Sequence, residues 1–209
     1  MSVAGDTKVS GVDLDVVTRA LARRPPRVIE GPDVDRRAAV AAILRRTPGD
    51  LEVLLIRRAE RDGDPWSGHM AFPGGGHDAR DASLEATAVR ETREEVELGL
   101  EEHGRLLGPL DDVRATARGT VTGLVVTPFV FELVGTPPLA TSGEVSEIHW
   151  APLGPMLAGA RDASIDYPWQ GETLKLPGFR VADAPHERIV WGLTHKMLLT
   201  FFARIRGET

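Results

Sequence analysis

A glycine-rich segment followed by an acidic helix constrains this chain more than any other feature. Residues 73–76 read Pro-Gly-Gly-Gly and follow an apolar stretch. This pattern predicts a short strand that runs into a tight loop. Residues 82–98 carry apolar side chains at helical spacing, which predicts a helix. Asp81 or Ser83 can cap its start, and Gly99 can end it.

Three glutamates share one side of this predicted helix. Glu91, Glu94 and Glu95 are separated by steps that place side chains on the same helical face. Such crowding of like charges destabilises a helix unless a divalent cation lies between the carboxylates. Mg²⁺ takes oxygen ligands and is commonly shared with substrate phosphates. Arg90 precedes Glu94 by four residues, so it can brace the cluster by a charged hydrogen bond.

The charge distribution points to the same segment. Nine acidic and three basic residues lie between Asp78 and Glu102, an excess that equals the net charge of −6. An acidic helix face is usually solvated surface, and a glycine-rich segment is usually a turn. Their combination at a short offset favours a functional site. The glycines allow the backbone to approach a metal ion and phosphate oxygens, because they have no Cβ.

Composition excludes several classes of site and partner. The chain has no cysteine, which excludes disulfides, thiol nucleophiles and cysteine zinc sites. Net acidity without a basic tract argues against nucleic-acid partners. No apolar run approaches the roughly 18 residues that span a bilayer, and residues 1–10 do not resemble a secretory signal. We therefore expect a cytoplasmic protein without a membrane partner.

The remaining segments predict helices around a mixed set of strands, so the fold class is α/β or α+β. The expected helices cover residues 13–24, 152–157 and 189–205. Trp191 in the last of them is expected to lie in the core, and a base-stacking platform is the alternative role for it. The expected strands cover residues 37–45 and 51–57 as a hairpin, 105–110, 120–133 and 144–150. Residues 167–181 are expected to form a β excursion, and a lid is the alternative for that segment. The predicted organisation is a tail with a short helix in residues 1–30 and a single domain in residues 31–209.

The segment from the glycines through the helix resembles the signature of the Nudix hydrolases, G-x5-E-x7-R-E-U-x-E-E-x-G-U, where U is aliphatic. The matching residues are Gly75, Arg90, Glu91, Glu94, Glu95 and Leu98, with Asp81 in place of the first glutamate. The chain departs from the pattern in three ways. The step from Asp81 to Arg90 is one residue longer, Thr92 replaces an aliphatic residue, and Glu97 replaces the late glycine.

Further segments resemble the coenzyme A diphosphatases of this superfamily. They comprise residues 54–58 and 68–75 upstream of the helix, and residues 144–153 and 189–194 downstream. Ile56 and Asp64 depart from that subgroup. The resemblance implies metal-dependent hydrolysis of coenzyme A or a derivative to 3′,5′-ADP and 4′-phosphopantetheine. ADP-ribose or a dinucleotide as substrate is the first alternative. A catalytically silent nucleotide-binding domain is the second, opposed by the retained signature residues.

The resemblance also implies an α/β/α sandwich around a mixed sheet and roles for individual residues. Glu94, Glu95 and the carbonyl of Gly74 would bind Mg²⁺ or Mn²⁺, with Glu91 as a further ligand or the general base. Arg90 would orient the glutamates. Dimerisation is common among relatives, so a homodimer is an expectation that the resemblance alone brings.

Other candidates are expected to contact the nucleotide-diphosphate substrate. Arg57 and Arg58 can hold phosphates, although alternation along a strand would direct only one of them to the site. Gly75 and Gly76 would approach the substrate with their backbone. Glu144 is a candidate assisting acid, and an exposed turn carboxylate is an equal alternative for it.

Overall fold

The predicted hairpin forms the centre of the fold. The computed structural model describes residues 11–63, 66–117 and 120–208. Strands β1 (Arg36–Thr47) and β2 (Asp50–Arg58) pair antiparallel, with Thr47 opposite Asp50 across the turn. Gly49 turns the chain at φ +82°, a conformation that glycine adopts without strain.

A mixed sheet grows from this hairpin. In the described part of the chain it has eight strands. Besides β1 and β2, they are β3 (Met70–Ala71), β4 (Gly74–Gly76), β5 (Gly104–Pro109), β6 (Val113–Ala117), β7 (Thr120–Leu133) and β8 (Val145–Pro152). The order across the sheet is β3-β2-β1-β7-β5. Strand β1 runs parallel to β7, whereas the other pairs are antiparallel. The predicted mixed sheet is thereby confirmed.

Helices cover both faces of this sheet. They are α1 (Leu14–Ala22), α2 (Leu84–Val96), α3 (Leu100–His103), α4 (Leu153–Leu157) and α5 (Gly192–Arg206). Alternate residues of β1 enter two separate cores. Val40 and Leu44 pack with α1 and α5, whereas Ala41 and Ile43 pack with α2. This period of two follows from the strand geometry, and it confirms the expected α/β/α arrangement.

A three-stranded sheet packs beside the main one. It consists of β9 (Asp162–Trp169), β10 (Glu172–Ala182) and β11 (Arg188–Trp191), in the order β11-β10-β9. The predicted β excursion at residues 167–181 is therefore confirmed. The predicted start of the last helix at residue 189 is wrong, because residues 189–191 pair with β10 and α5 begins at Gly192.

Two predictions around the acidic helix also need correction. Helix α2 is capped by the Ser83 side chain, which accepts from the amide of Ala86, and it ends at Glu97 with φ 56° rather than at Gly99. The glycines of residues 74–76 form strand β4 against β1 and not a free loop.

The N-terminal helix joins the core. Its buried residues Leu14 and Val17 belong to the same apolar cluster as Phe201 of α5, and the first ten residues lie outside the described part. The division between residues 30 and 31 stays a prediction. No helix in the described residues is long and apolar enough to cross a membrane.

Candidate active site

Strand β4 brings the backbone of the glycine segment against helix α2. The amide of Gly74 donates to Glu95 Oε2 at 2.8 Å. A Cβ on Gly74 would lie 2.3 Å from the carbonyl oxygen of Ala39, and one on Gly75 would lie 2.6 Å from the carboxyl carbon of Glu91. The glycines are thus required by contacts within the protein: β4 lies close to β1, and Glu91 fills the space beside Gly75.

The three glutamates do not share one environment. Glu95 is only 3% exposed, and burial raises its pKa to about 7 although the Gly74 amide opposes the shift. Burial also raises the pKa of Glu91, against the hydrogen bond from Arg90. Glu94 has a side chain that is 59% exposed and lies 3.3 Å from Arg90. Glu94 therefore lies at the surface beside Arg90, whereas Glu91 and Glu95 are more buried.

Arg90 links these carboxylates to a residue upstream of the helix. Its Nε and Nη2 donate to the two carboxylate oxygens of Asp81, both at 2.9 Å. Its Nη1 donates to Glu91 at 2.8 Å and to Glu94 at 3.3 Å. Hydrogen bonds to Asp81 and Glu91 raise the pKa of Arg90, so the group stays charged. Arg90 thereby holds Glu91 in a fixed orientation.

Asp81 holds Arg90 with a side chain that is 7% exposed, and it does not line the cavity. Its carboxylate also accepts from the hydroxyl of Thr87 at 2.9 Å and the amide of Asp78 at 3.1 Å. The hydrogen bonds from Arg90 hold its pKa well below the ordinary range. Despite the additional residue before the helix, Asp81 therefore still reaches Arg90.

A cavity of about 760 Å³ opens beside these residues. Of the predicted site residues, its lining contains Arg58, Gly74, Gly75, Gly76, Glu91, Glu95 and Glu144. Arg90, Glu94, Asp81 and Arg57 are not in that lining. Arg57 instead pairs with Glu60 at 2.7 Å and with Glu147 at 3.5 Å. Only one of the two adjacent arginines thus faces the cavity, as strand alternation predicts.

Glu144 reaches the cavity from the segment before β8. It forms an exposed ion pair with Arg61 at 3.1 Å, and its charge contributes to the raised pKa of Glu91 and of Glu95. The cavity therefore collects three carboxylates from two parts of the chain.

The sequence reasoning missed the apolar and aromatic part of this cavity. That part includes Trp66, His69, Met70, Trp191, Leu193 and Met197. The expectation that Trp191 lies in the core is wrong, since it is half-buried and lines the cavity. Residues 189–205 read as one buried helix, so no local pattern indicates that this ring turns to the cavity. Another lining residue, His77, makes a 2.8 Å hydrogen bond with Thr87.

The chemical type of the donors at this site suits a hard divalent cation. Glu91 and Glu95 offer carboxylate oxygens inside the cavity, where burial disfavours their charge, and a cation would offset that cost. No three His, Asp or Glu side chains in the described ranges are grouped closely enough to hold a metal. A third carboxylate, Glu94 or Glu144, would have to leave its arginine partner to complete such a site.

Comparison with known proteins gives one consistent family. Residues 35–169 match the family described as NUDIX domain. The uncharacterized Nudix hydrolase NudL of Citrobacter koseri is 33% identical over 188 residues, which cover 86% of this chain and 88% of that protein. An uncharacterized Schizosaccharomyces pombe protein is 44% identical over 108 residues, which cover 50% of this chain but only 33% of its own length.

A solved structure adds a likeness of fold. The crystal structure of a MutT/nudix family protein from Enterococcus faecalis matches 94% of this chain and 70% of its own, with a TM-score of 0.53 and 19% sequence identity.

Proposed function

This chain belongs to the Nudix hydrolase family, and on that premise we propose that it hydrolyses the diphosphate bond of coenzyme A or one of its derivatives. Diphosphate hydrolysis in a nucleotide substrate is the chemistry of the family. The observation that carries the proposal is the pair of inward-facing carboxylates, Glu91 and Glu95, whose charge burial disfavours at the wall of a large cavity. Such a pair is suited to a bound cation and an anionic substrate.

Nudix hydrolases generally use divalent metal ions, and Mg²⁺ or Mn²⁺ is the proposed cofactor here. Glu91 and Glu95 would hold it, with Glu94, Glu144 and the Gly74 carbonyl as further ligands. A bound divalent cation polarises phosphoryl oxygens and lowers the pKa of water.

The chain's own residues have distinct proposed tasks. Arg58, which lines the cavity, binds the negative phosphates of the substrate. Arg90 holds Glu91 through the 2.8 Å hydrogen bond to its Oε1. Glu91 lines the cavity, and its carboxylate is the proposed acceptor of the proton from the attacking water. The backbone of Gly75 and Gly76 lines the same cavity and can approach the substrate.

Convergence of distant segments supports coenzyme A as the substrate. The four segments that resemble coenzyme A diphosphatases are spread between residues 54 and 194, yet each contributes to one cavity through Arg58, Gly74, Glu144 or Trp191. The departure at Ile56 does not touch that cavity, because Ile56 is 1% exposed and packs in the α2 core. Asp64 lies outside the described residues. We therefore rank coenzyme A above ADP-ribose or a dinucleotide.

Product identification tests this substrate. Incubation with coenzyme A and Mg²⁺ or Mn²⁺ should release 3′,5′-ADP and 4′-phosphopantetheine. Efficient turnover of ADP-ribose with none of coenzyme A would refute the choice of substrate and leave the chemistry standing.

A double variant tests whether the chain is catalytic at all. Glu94→Gln with Glu95→Gln should abolish metal-stimulated hydrolysis, and unchanged hydrolysis would show that the assigned chemistry is wrong. The homodimer, the cytoplasmic location and the absence of nucleic-acid and membrane partners stay predictions.

A further inference from the structure

The cavity has an aromatic part that the proposed hydrolysis does not use. Trp191, at the end of β11, lines the cavity together with His69 and Trp66, whereas its neighbour Val190 is fully buried. The chain therefore places Val190 in the core and directs the larger tryptophan ring toward the cavity.

The ring of Trp191 is fixed by its neighbours. The His69 ring lies 4.3 Å away between centroids at 52°, and the Tyr167 ring lies 5.4 Å away at 51°. On the paired strand, Trp191 is opposite Gly178, where a Cβ would come within 3.3 Å of the Trp191 Cβ and 2.4 Å of the carbonyl oxygen of Val190. The strand carrying Trp191 thus lies close to β10, and two rings restrict its side chain.

A fixed aromatic ring beside phosphate-binding groups suits one part of a nucleotide. Flat heteroaromatic bases stack on tryptophan, and the gain is of similar size for every base. Leu193 and Met197 add uncharged surface to the same cavity. A ligand with an aliphatic chain would need only contacts with aliphatic side chains such as these. A flat ligand also depends on the orientation of the ring on which it stacks, and here that orientation is restrained.

We propose that Trp191 binds the nucleobase of the substrate by stacking, with Tyr167 and His69 as positioning residues that hold its ring. The inference depends on the proposed function only in requiring that the substrate contains a nucleoside. It assigns the aromatic part of the cavity to the base and the part with Arg58, Glu91 and Glu95 to the diphosphate.

Equilibrium binding of two probes isolates the base from the rest of the nucleotide. AMP and ribose 5-phosphate differ only in the base, and neither contains a diphosphate bond. Titration calorimetry with the full chain should show that AMP binds more tightly than ribose 5-phosphate. The Trp191→Leu variant should lose about tenfold in AMP affinity and almost none for ribose 5-phosphate. Trp169→Leu is the matched control, because Trp169 lies on the same small sheet, 6.4 Å from Tyr167, and outside the cavity lining.

A conservative variant covers the case in which the leucine variant does not fold. Trp191→Phe keeps an aromatic ring, so most of the AMP affinity should remain. Quenching of tryptophan fluorescence by AMP should nevertheless fall strongly in this variant and persist in Trp169→Phe. Equal quenching in Trp191→Phe and the wild-type protein would overturn the inference, as would a wild-type protein that does not distinguish the two probes.

These outcomes separate the two proposals. If coenzyme A is not hydrolysed but AMP binding depends on Trp191, the substrate assignment is wrong and base stacking stands. If Trp191→Leu hydrolyses coenzyme A with the wild-type KM, the assignment of Trp191 is wrong and the proposed function stands.

Discussion

The guanidinium of Arg90 is clamped by the carboxylate of Asp81 through two parallel hydrogen bonds of 2.9 Å. The arginine in turn donates to Glu91 and Glu94. A residue outside the helix therefore determines how the carboxylates on the helix are oriented. Two-point contacts of this kind restrict direction as well as distance.

Replacing Asp81 by Asn should lower kcat about 10- to 100-fold, as is usual when a group that orients metal-binding carboxylates is lost. Asn can accept only one of the two hydrogen bonds, so Arg90 would no longer be held in one orientation. Steady-state kinetics with saturating metal measures the effect. Asp78→Asn is the control, because Asp78 interacts with Asp81 through its backbone amide. Equal rates for the two variants would contradict the anchoring role.

Substituting Gly75 by Ala should reduce activity by displacing Glu91. The new Cβ would lie 2.6 Å from the Glu91 carboxyl carbon, whereas a Cβ on Gly76 meets no atom within 4 Å. We therefore expect kcat to fall at least tenfold in Gly75→Ala and considerably less in Gly76→Ala, since misplacement of a reacting group by about 1 Å is costly. Similar losses in both variants would mean that the contact with Glu91 is not the cause.

Glu95 should make the metal-free protein less stable as pH rises. Its pKa is about 7 in the folded state, above the ordinary value of about 4.3. The loss of folding stability that ionised Glu95 causes is therefore absent below pH 4 and fully developed above pH 7. Without metal, Glu95→Gln should be more stable than wild type at pH 8, by up to about 3 kcal/mol, and no more stable at pH 4. Thermal unfolding at the two pH values measures this difference.

Adding Mg²⁺ or Mn²⁺ at pH 8 should raise the Tm of the wild type more than that of Glu95→Gln, because a cation offsets the buried charge. Glu102→Gln serves as the reference, since the Glu102 side chain is 76% exposed. An equal metal-induced rise in Tm in the wild type and in Glu95→Gln would refute a role of Glu95 in binding the cation.

The N-terminal segment should detach under acid. Burial acts to raise the pKa of Asp111, but hydrogen bonds from Arg24 and the Arg27 amide outweigh it and lower the pKa. The stabilisation is therefore present above the ordinary aspartate value of about 3.9 and is lost as pH falls below it. Arg204, 3% exposed, is a second partner at 3.4 Å.

Asp111→Ala should consequently destabilise the protein at pH 7 by about 3 kcal/mol, because Arg204 would remain charged and buried. The corresponding fall in Tm is about 6–12 °C for a chain of this size, and the acid-sensitive part of the stability should disappear. Asp183→Asn removes an exposed ion pair with Arg161 and should change Tm little. If Asp111→Ala lowered the Tm at pH 7 no more than Asp183→Asn does, the stabilising role of Asp111 would be refuted.

Replacing each of the two adjacent arginines by alanine distinguishes the cavity side of β2 from the other side. Arg58→Ala should raise KM for the nucleotide substrate about tenfold or more, since Arg58 lines the cavity. Arg57→Ala should leave KM nearly unchanged, because Arg57 pairs with Glu60 and Glu147. Initial rates over a range of substrate concentrations decide between them, and the reverse order would reassign the phosphate-binding residue.

Local patterns predicted the elements well where a turn signal or a helical periodicity is clear. The hairpin of β1 and β2 and the helix with Glu91 and Glu95 follow from spacing and turn residues within short windows. The difference in exposure between Glu94 and Glu95 does not follow from such windows, because it depends on how α2 is rotated against β1 and β4. The sequence alone could not show that Gly75 makes room for a glutamate, since that contact joins separate segments.

The aromatic lining lies beyond local prediction for the same reason. A largely apolar segment at residues 189–205 looks helical and buried, so Trp191 reads as core. Pairing of residues 189–191 with β10 turns the segment into a strand before the helix and directs the ring to the cavity. Tertiary pairing thus overrides the helical periodicity.

Glu91 and Trp191 are 100 residues apart in the chain yet line the same cavity. Helix α2 can begin to form from its own sequence, but contacts of this long range form late because a large loop must first close. Trp191 reaches the cavity only when β11 has paired with β10. Under the proposed base stacking, a chain that lacks this pairing would no longer distinguish a nucleotide from a sugar phosphate without a base.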